Sequence, residues 1–163
     1  MIASVFISGS ISINKLPQKA IDKLDGIVQK GIMVLVGDAK GVDLQAQKYL
    51  LKKKHDNVVV YHVGNGARNN VGKWQTRRVP VGGDKKGRGF YAEKDKAMAR
   101  DADYGLMIWD GRSEGTRNNM LNMREANKKF LVVMGDTLVS NTHIGRLLSI
   151  GETDAEAVQP TLF

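Results

Sequence analysis

Short apolar runs, each closed by glycine or small polar residues and each followed by a stretch of different periodicity, constrain this chain more than any other feature. Five occur: Ser4-Val5-Phe6-Ile7, Met33-Val34-Leu35-Val36, Val58-Val59-Val60-Tyr61, Gly105-Leu106-Met107-Ile108-Trp109 and Phe130-Leu131-Val132-Val133-Met134. A strand apolar at nearly every position must be buried on both faces, and intervening helices supply the cover. The predicted fold class is α/β, a Rossmann-like doubly wound sheet of about five mainly parallel strands with helices on both faces. Right-handed crossovers leave few topologies for it.

Helical spacing fills the gaps. Ala20, Ile21, Leu24, Ile27 and Val28 recur over 17–30, with Pro17 suited to a first turn and Gly31 to a stop. Val42, Ala46, Tyr49 and Leu50 form a stripe over 42–54, closed by Lys52-Lys53-Lys54 at the negative helix end. Further helices are expected over 91–100, from Gly115-Thr116 to about 129, and over 144–150. At 163 residues the chain has the size of one domain, expected over 1–150, with a flexible tail at 151–163.

Composition narrows the setting. There is no cysteine, which excludes disulfides, thiolate metal sites and cysteine nucleophiles and fits a reducing compartment. Neither a secretory leader pattern nor a bilayer-length apolar run is found, so a cytoplasmic location without membrane association is expected. His55, His62 and His143 are scattered singly and predict packing or surface roles, with no metal site. Met98, Met107, Met120, Met123 and Met134 read as core filling.

The net charge of +8 is uneven, because residues 64–90 hold seven basic side chains and one acidic one. Regular structure is expected to lapse there, and a loop of that length is usually functional or mobile. Arg68, Lys73, Trp74, Arg77, Arg78, Lys85, Lys86 and Arg88 can neutralise phosphates while Trp74 stacks on a base, which suits single-stranded nucleic acid. The alternatives are a solvated loop, a flap over a small ligand, or a surface packed on a second subunit in a homo-oligomer.

Three turns rich in glycine and small polar residues follow the first, second and fourth runs: 8–12, 37–43 and 110–116. All belong to the carboxyl end of the sheet, where such folds bind ligands. The last leads directly into a helix, whose free N–H groups and positive dipole end form a phosphate-binding loop with Gly111, Gly115 and Thr116. The dinucleotide fingerprint and the P-loop are both missing, and no cofactor is expected.

Four blocks, Ile7-Ser8-Gly9-Ser10, residues 36–43, residues 91–99 with Ala102-Asp103, and Trp109-Asp110-Gly111 with Gly115-Thr116, together resemble the SLOG superfamily in layout over about 3–134. That group includes cytokinin-activating phosphoribohydrolases, DNA-processing proteins and many bacterial proteins. The last block is also similar to nucleoside 2-deoxyribosyltransferases. The resemblance implies a nucleotide-type ligand, but the chain departs from its catalytic pattern. Asn119 stands where those enzymes carry a catalytic glutamate, and an amide cannot act as the carboxylate base or nucleophile. Lys94 stands where the phosphoribohydrolases carry an arginine, keeping charge and losing the bidentate fork.

These readings predict a nucleotide or phosphorylated-ribose binding or sensing protein, with Gly9, Ser10, Gly37, Asp38, Asp43, Lys94, Gly111, Gly115, Thr116 and Asn119 around the ligand. The enzymatic alternative is hydrolysis or transfer at an N-glycosidic bond using Glu114 or Asp110, with Glu93 and Asp95 as further carboxylates. Finally, Gln159, Leu162 and Phe163 in the tail resemble a sliding-clamp-binding peptide, although Pro160 departs from it. The alternative is that Leu162 and Phe163 cover an apolar patch.

Overall fold

The computed structural model describes residues 3–83 and 87–141. In chain order these form β1 (Ser4–Gly9), α1 (Gln18–Gln29), β2 (Met33–Val36), α2 (Val42–Lys52), β3 (Val58–His62), β4 (Gln75–Arg78), α3 (Gly87–Asp101), β5 (Tyr104–Ile108), α4 (Glu114–Glu125), β6 (Lys129–Met134) and β7 (Thr137–Ser140). The described strands make a seven-stranded sheet of order β4-β3-β2-β1-β5-β6-β7, parallel except for the β6–β7 hairpin. The fold is α/β and Rossmann-like. The five expected strands are β1, β2, β3, β5 and β6, and the sheet has two more.

Both additional strands lie at edges of the sheet. Strand β4 reads Gln-Thr-Arg-Arg and is exposed at every position; backbone pairing to β3, from Val59↔Gln75 to His62↔Arg78, makes it a strand. Strand β7 returns from β6 through Gly135-Asp136, with Met134 opposite Thr137 and Gly135 at φ 59°. A two-residue hairpin requires such a positive φ. The expected irregular loop over 64–90 is therefore corrected: it contains β4, and α3 begins at Gly87 rather than at the first apolar-periodic residue, Tyr91. Lys85 and Lys86, the helical candidate at 144–150, His143, and the tail with Gln159, Leu162 and Phe163 all lie outside the described residues.

Alternation along each strand divides the core into two layers. Val5, Ile7, Val34, Val36, Leu106 and Ile108 meet Ala20, Leu24 and Ile27 of α1 and Val42, Ala46 and Leu50 of α2. On the other face Phe6, Leu35, Met107, Phe130 and Val132 meet Ala97 and Met98 of α3 and Met120 and Met123 of α4. Met98, Met107, Met120 and Met123 are buried, and Met134 packs partly against this layer.

The strand order reverses at β1, whose neighbours are β2 and β5. A crevice opens there because the connections leave in opposite directions. The buried residues of α3 run Lys94, Ala97, Met98, Ala99 and those of α4 run Thr116, Asn119, Met120, Met123. On each helix the buried polar residues, Lys94 midway along α3 and Thr116 and Asn119 early in α4, precede the buried apolar ones. The apolar layer ends where these polar residues begin, at the carboxyl end of the sheet. No helix among the described residues is long and apolar enough to cross a membrane.

Candidate functional site

A cavity of about 790 Å³ lies between α3 and α4 above Phe6 and Ser8. That volume is in the range of small-molecule sites. Its lining includes Gly9, Ser10, Asp43, Lys94, Gly115, Thr116 and Asn119 from the expected ligand set, and Glu114 from the expected catalytic pair. Gly37, Asp38, Gly111 and Asp110 do not line it; they shape the turns behind it.

Lys94 is the centre of the cavity floor. Only 4% exposed, it occupies the stripe position one turn before Met98, where helical spacing calls for an apolar side chain. Its Nζ donates to Asp95 Oδ1 at 3.0 Å. Burial opposes its charge, but Asp95, Asp43 and Asp38 outweigh that and hold its pKa above the usual lysine value. Asp43, at the start of α2, is pushed up to about 6 by burial; Lys94 opposes the rise, while Asp95 and Asp38 add to it. The Ala39 N–H donates to Asp43 Oδ2 at 3.2 Å. Gly37 leaves the room this pair needs, since a Cβ there would lie 2.5 Å from Asp43 Oδ2 and 2.8 Å from Lys94 Nζ.

Asn119 completes the floor. Its Nδ2 donates to Ser8 Oγ at 2.7 Å and to Asp95 Oδ2 at 3.3 Å, and its Oδ1 accepts from Asn122 Nδ2 at 3.4 Å. The amide therefore bridges β1, α3 and α4. Ser10 is also tied across the switch point, its Oγ accepting from the Asp110 N–H at 3.0 Å. Gly9 is fixed by packing: a Cβ would come within 2.5 Å of the Ile108 carbonyl oxygen and of Val42.

Asp110 organises the turn into α4. Its Oδ1 accepts from the Arg112 and Ser113 N–H groups at 2.8 and 2.7 Å, and its Oδ2 accepts from the Ser12 and Ser113 hydroxyls at 2.7 and 2.9 Å. These bonds outweigh its partial burial and hold the carboxyl well below the usual range. Gly111, at φ 81°, lets the backbone turn beneath it. Gly115 and Thr116 line the cavity from the first turn of α4, where N–H groups have no intrahelical acceptor.

Asp38 has a comparable internal role. Its Oδ1 accepts from Arg68 Nη2 at 2.7 Å, its Oδ2 from the Arg68 N–H at 2.8 Å, and its carbonyl oxygen from Asn69 Nδ2 at 2.8 Å. Despite burial these bonds and the Arg68 charge lower its pKa. Gln47, fully buried on α2, pins the same segment: its Nε2 donates to the carbonyls of Gly37 and Asn69, both at 3.0 Å, and its Oε1 accepts from the Val71 N–H. Its position in the helix interior gave no sequence signal for that role.

The basic segment divides its side chains between the cavity and the scaffold. Arg68 stacks on the Tyr91 ring, 4.1 Å from its centroid, and Arg88 pairs with Glu114; all four line the cavity mouth. Arg77 bonds Asp101 Oδ2 at 2.8 Å and Tyr61 Oη at 3.1 Å. Trp74 packs against the α1/α2 layer and its Nε1 donates to the His55 carbonyl at 3.2 Å. Trp74, expected to offer a face for a base, is half-buried, so part of its ring is taken up in packing. Lys73 and Arg78 are exposed away from the cavity lining. His55 is buried, with Nε2 2.9 Å from the Ile32 carbonyl oxygen.

Charge is thus sorted by depth, with Asp43, Asp95 and Lys94 at the floor and Arg68, Tyr91, the Arg88–Glu114 pair and the α4 N-terminus at the mouth. Such an arrangement can accept hydroxyl donors inside and an anion outside. The chain matches no protein-family model, and no curated protein matches it.

Proposed function

We propose that this chain binds a nucleotide or related phosphorylated ribose compound, with phosphate at the mouth and ribose hydroxyls toward the floor. The observation that carries this reading is the sorting of charge in the cavity. A phosphate at the floor would meet Asp43 and Asp95, whereas at Gly115-Thr116 it meets free N–H groups and the positive end of α4, with Arg68 and Arg88 nearby. Tyr91 offers an aromatic surface for the base. The same layout suits membership of the SLOG superfamily, with Lys94 and Asn119 as this chain's departures from its enzymes. Titration calorimetry against mononucleotides, ADP-ribose-like compounds and cyclic nucleotides tests the reading. Saturable heat that falls at least tenfold in affinity in Arg68→Gln supports it; no saturable heat at millimolar ligand overturns it.

A second reading is favoured by Asp95, whose Oδ2 lies 3.3 Å from the Asn119 amide. A carboxylate thus stands beside the position where the resembling enzymes carry theirs, and N-glycosidic hydrolysis or transfer would use it in preference to the turn-bound Asp110 or the exposed Glu114. Free base released from nucleoside monophosphates, lost in Asp95→Asn and retained in Glu114→Gln, is the result that would establish it.

A further inference from the structure

A cluster of unpaired positive charge lies on the face opposite the cavity. In residues 64–90 three arginines meet carboxylates: Arg68 with Asp38, Arg77 with Asp101 and Arg88 with Glu114. Residues 15–54, which carry α1, α2 and their flanks, hold nine lysines and four aspartates. Two of those aspartates, Asp38 and Asp43, are buried behind and within the cavity. The other two are engaged on α1, Asp22 accepting from Gln18 and Asp25 from the Tyr49 hydroxyl. By contrast Lys15, Lys48, Lys52 and Lys54 are exposed and stand in no ion pair among the described residues. The lysines crowd one another: burial and the neighbouring Lys30 and Lys19 together lower Lys23.

Three of these lysines, Lys15, Lys48 and Lys52, border a groove of about 280 Å³ between α1 and α2. Lys48 and Lys52 are one helical turn apart on the same wall, and Lys15 stands at the α1 end. Between them lie Leu16, Ile21 and the Tyr49 ring. We propose that this groove is a binding surface for single-stranded nucleic acid, separate from the nucleotide cavity. The lysines meet successive phosphates, and the apolar strip takes sugars and unstacked bases, which a duplex would keep inside its own stack. The surface is built from α2, Ile21 of α1 and the segment leading into α1, and requires no ligand in the cavity.

Fluorescence anisotropy of the full chain with labelled 20-nucleotide oligo-dT and oligo-U, from 50 to 300 mM NaCl, tests the proposal. Binding of either strand, steeply weakened by salt, is expected, and a difference between the two reports the sugar preference. A Lys15→Gln, Lys48→Gln, Lys52→Gln triple variant should bind at least tenfold more weakly at 50 mM. Its slope of log affinity against log salt should be shallower by about 2, from about 0.7 for each phosphate that is no longer neutralised. Lys48→Gln alone should flatten the slope by about 0.7, a readout available should the triple variant fold poorly. A Lys73→Gln, Arg78→Gln variant should bind within twofold of wild type. The proposal is overturned by no binding at 50 mM, by a loss that follows Lys73 and Arg78 instead, by tighter binding to a duplex of equal length, or by binding only to anionic phosphatidylglycerol vesicles.

Discussion

Replacing Asp43 by asparagine keeps the shape of the side chain and removes the ionisation that burial opposes. Folding raises this carboxyl from an ordinary aspartate value of about 3.9 to about 6, a shift of about two pH units. At 1.36 kcal/mol per unit, the unfolded chain releases this proton about 3 kcal/mol more readily than the folded one. Below about pH 4 both states are protonated and the stability associated with the group is fully present. Between about pH 4 and 6 the folded chain retains a proton that the unfolded chain has released, so stability falls as pH rises, and above pH 6 the loss is complete. Lys94 stays charged throughout, because its pKa is raised above the lysine value. Asp38 and Asp110 act in the opposite sense: their pKa values are depressed, so their contribution is present above about pH 4 and lost as pH falls. Subtracting the wild-type profile from that of Asp43→Asn removes those shared contributions. Urea unfolding at half-unit steps from pH 4 to 8, followed by tryptophan fluorescence, should show the difference rising by about 3 kcal/mol in favour of the variant. A flat difference, or one that falls with pH, would refute the assignment of Asp43 as a carboxyl strained by burial.

Lys94→Met leaves Asp43 and Asp95 without their cation and should cost about 3–5 kcal/mol at pH 7.5, with a smaller loss at pH 5 as Asp43 takes up its proton; urea denaturation at the two pH values reads both. Asp110→Ala removes four hydrogen bonds from the turn into α4 and should cost about 1–2 kcal/mol, as helix-cap deletions do, while weakening nucleotide affinity in calorimetry. Trp74→Ala should lower thermal stability by about 2–3 kcal/mol, somewhat less than for a fully buried tryptophan, and should leave oligonucleotide anisotropy unchanged.

The strands that fill the sheet's interior were legible because burial on two faces writes a continuous apolar run. Strand β4 was not, because an edge strand can be specified by backbone pairing alone and Gln-Thr-Arg-Arg carries no apolar residue; β7 was not, because Leu138 and Val139 are too short an apolar run to stand out. The site was legible through its glycine turns, which bring Gly9, Ser10, Gly115 and Thr116 to one cavity. Their spacing could not distinguish a carboxylate that faces the cavity from one that holds the turn. Asp43 and Asp110 look alike in sequence, yet one is at the cavity and the other is consumed by four local donors. Lys94 did leave a signal, a charge in the stripe that continues to Ala97 and Met98, but only the three-dimensional arrangement names its partners. The basic segment shows the same limit. Charge counted along the chain ignores Asp38, Asp101 and Glu114, which reach its arginines from other elements.

The buried charges at the floor are better understood as a functional arrangement than as a source of stability. Ionised groups lose hydration on burial, and well-packed apolar residues in the places of Asp43 and Lys94 would hold the fold at least as well. Three separate features nevertheless keep the cluster in place. Gly37 vacates the volume that Asp43 and Lys94 enter, the Ala39 N–H fixes one carboxylate oxygen, and Asn119 ties Asp95 to Ser8 across two elements. Holding polar groups rigidly before a ligand arrives reduces what binding must spend on ordering them, which is the advantage of a preorganised site. The depth ordering follows from the same economy. The helix N-terminus is available only at the rim, because α4 begins there, so the proposed anion is held where the peptide dipoles end. Deeper in, Asp43 and Asp95 favour groups that donate hydrogen bonds and oppose a second phosphate.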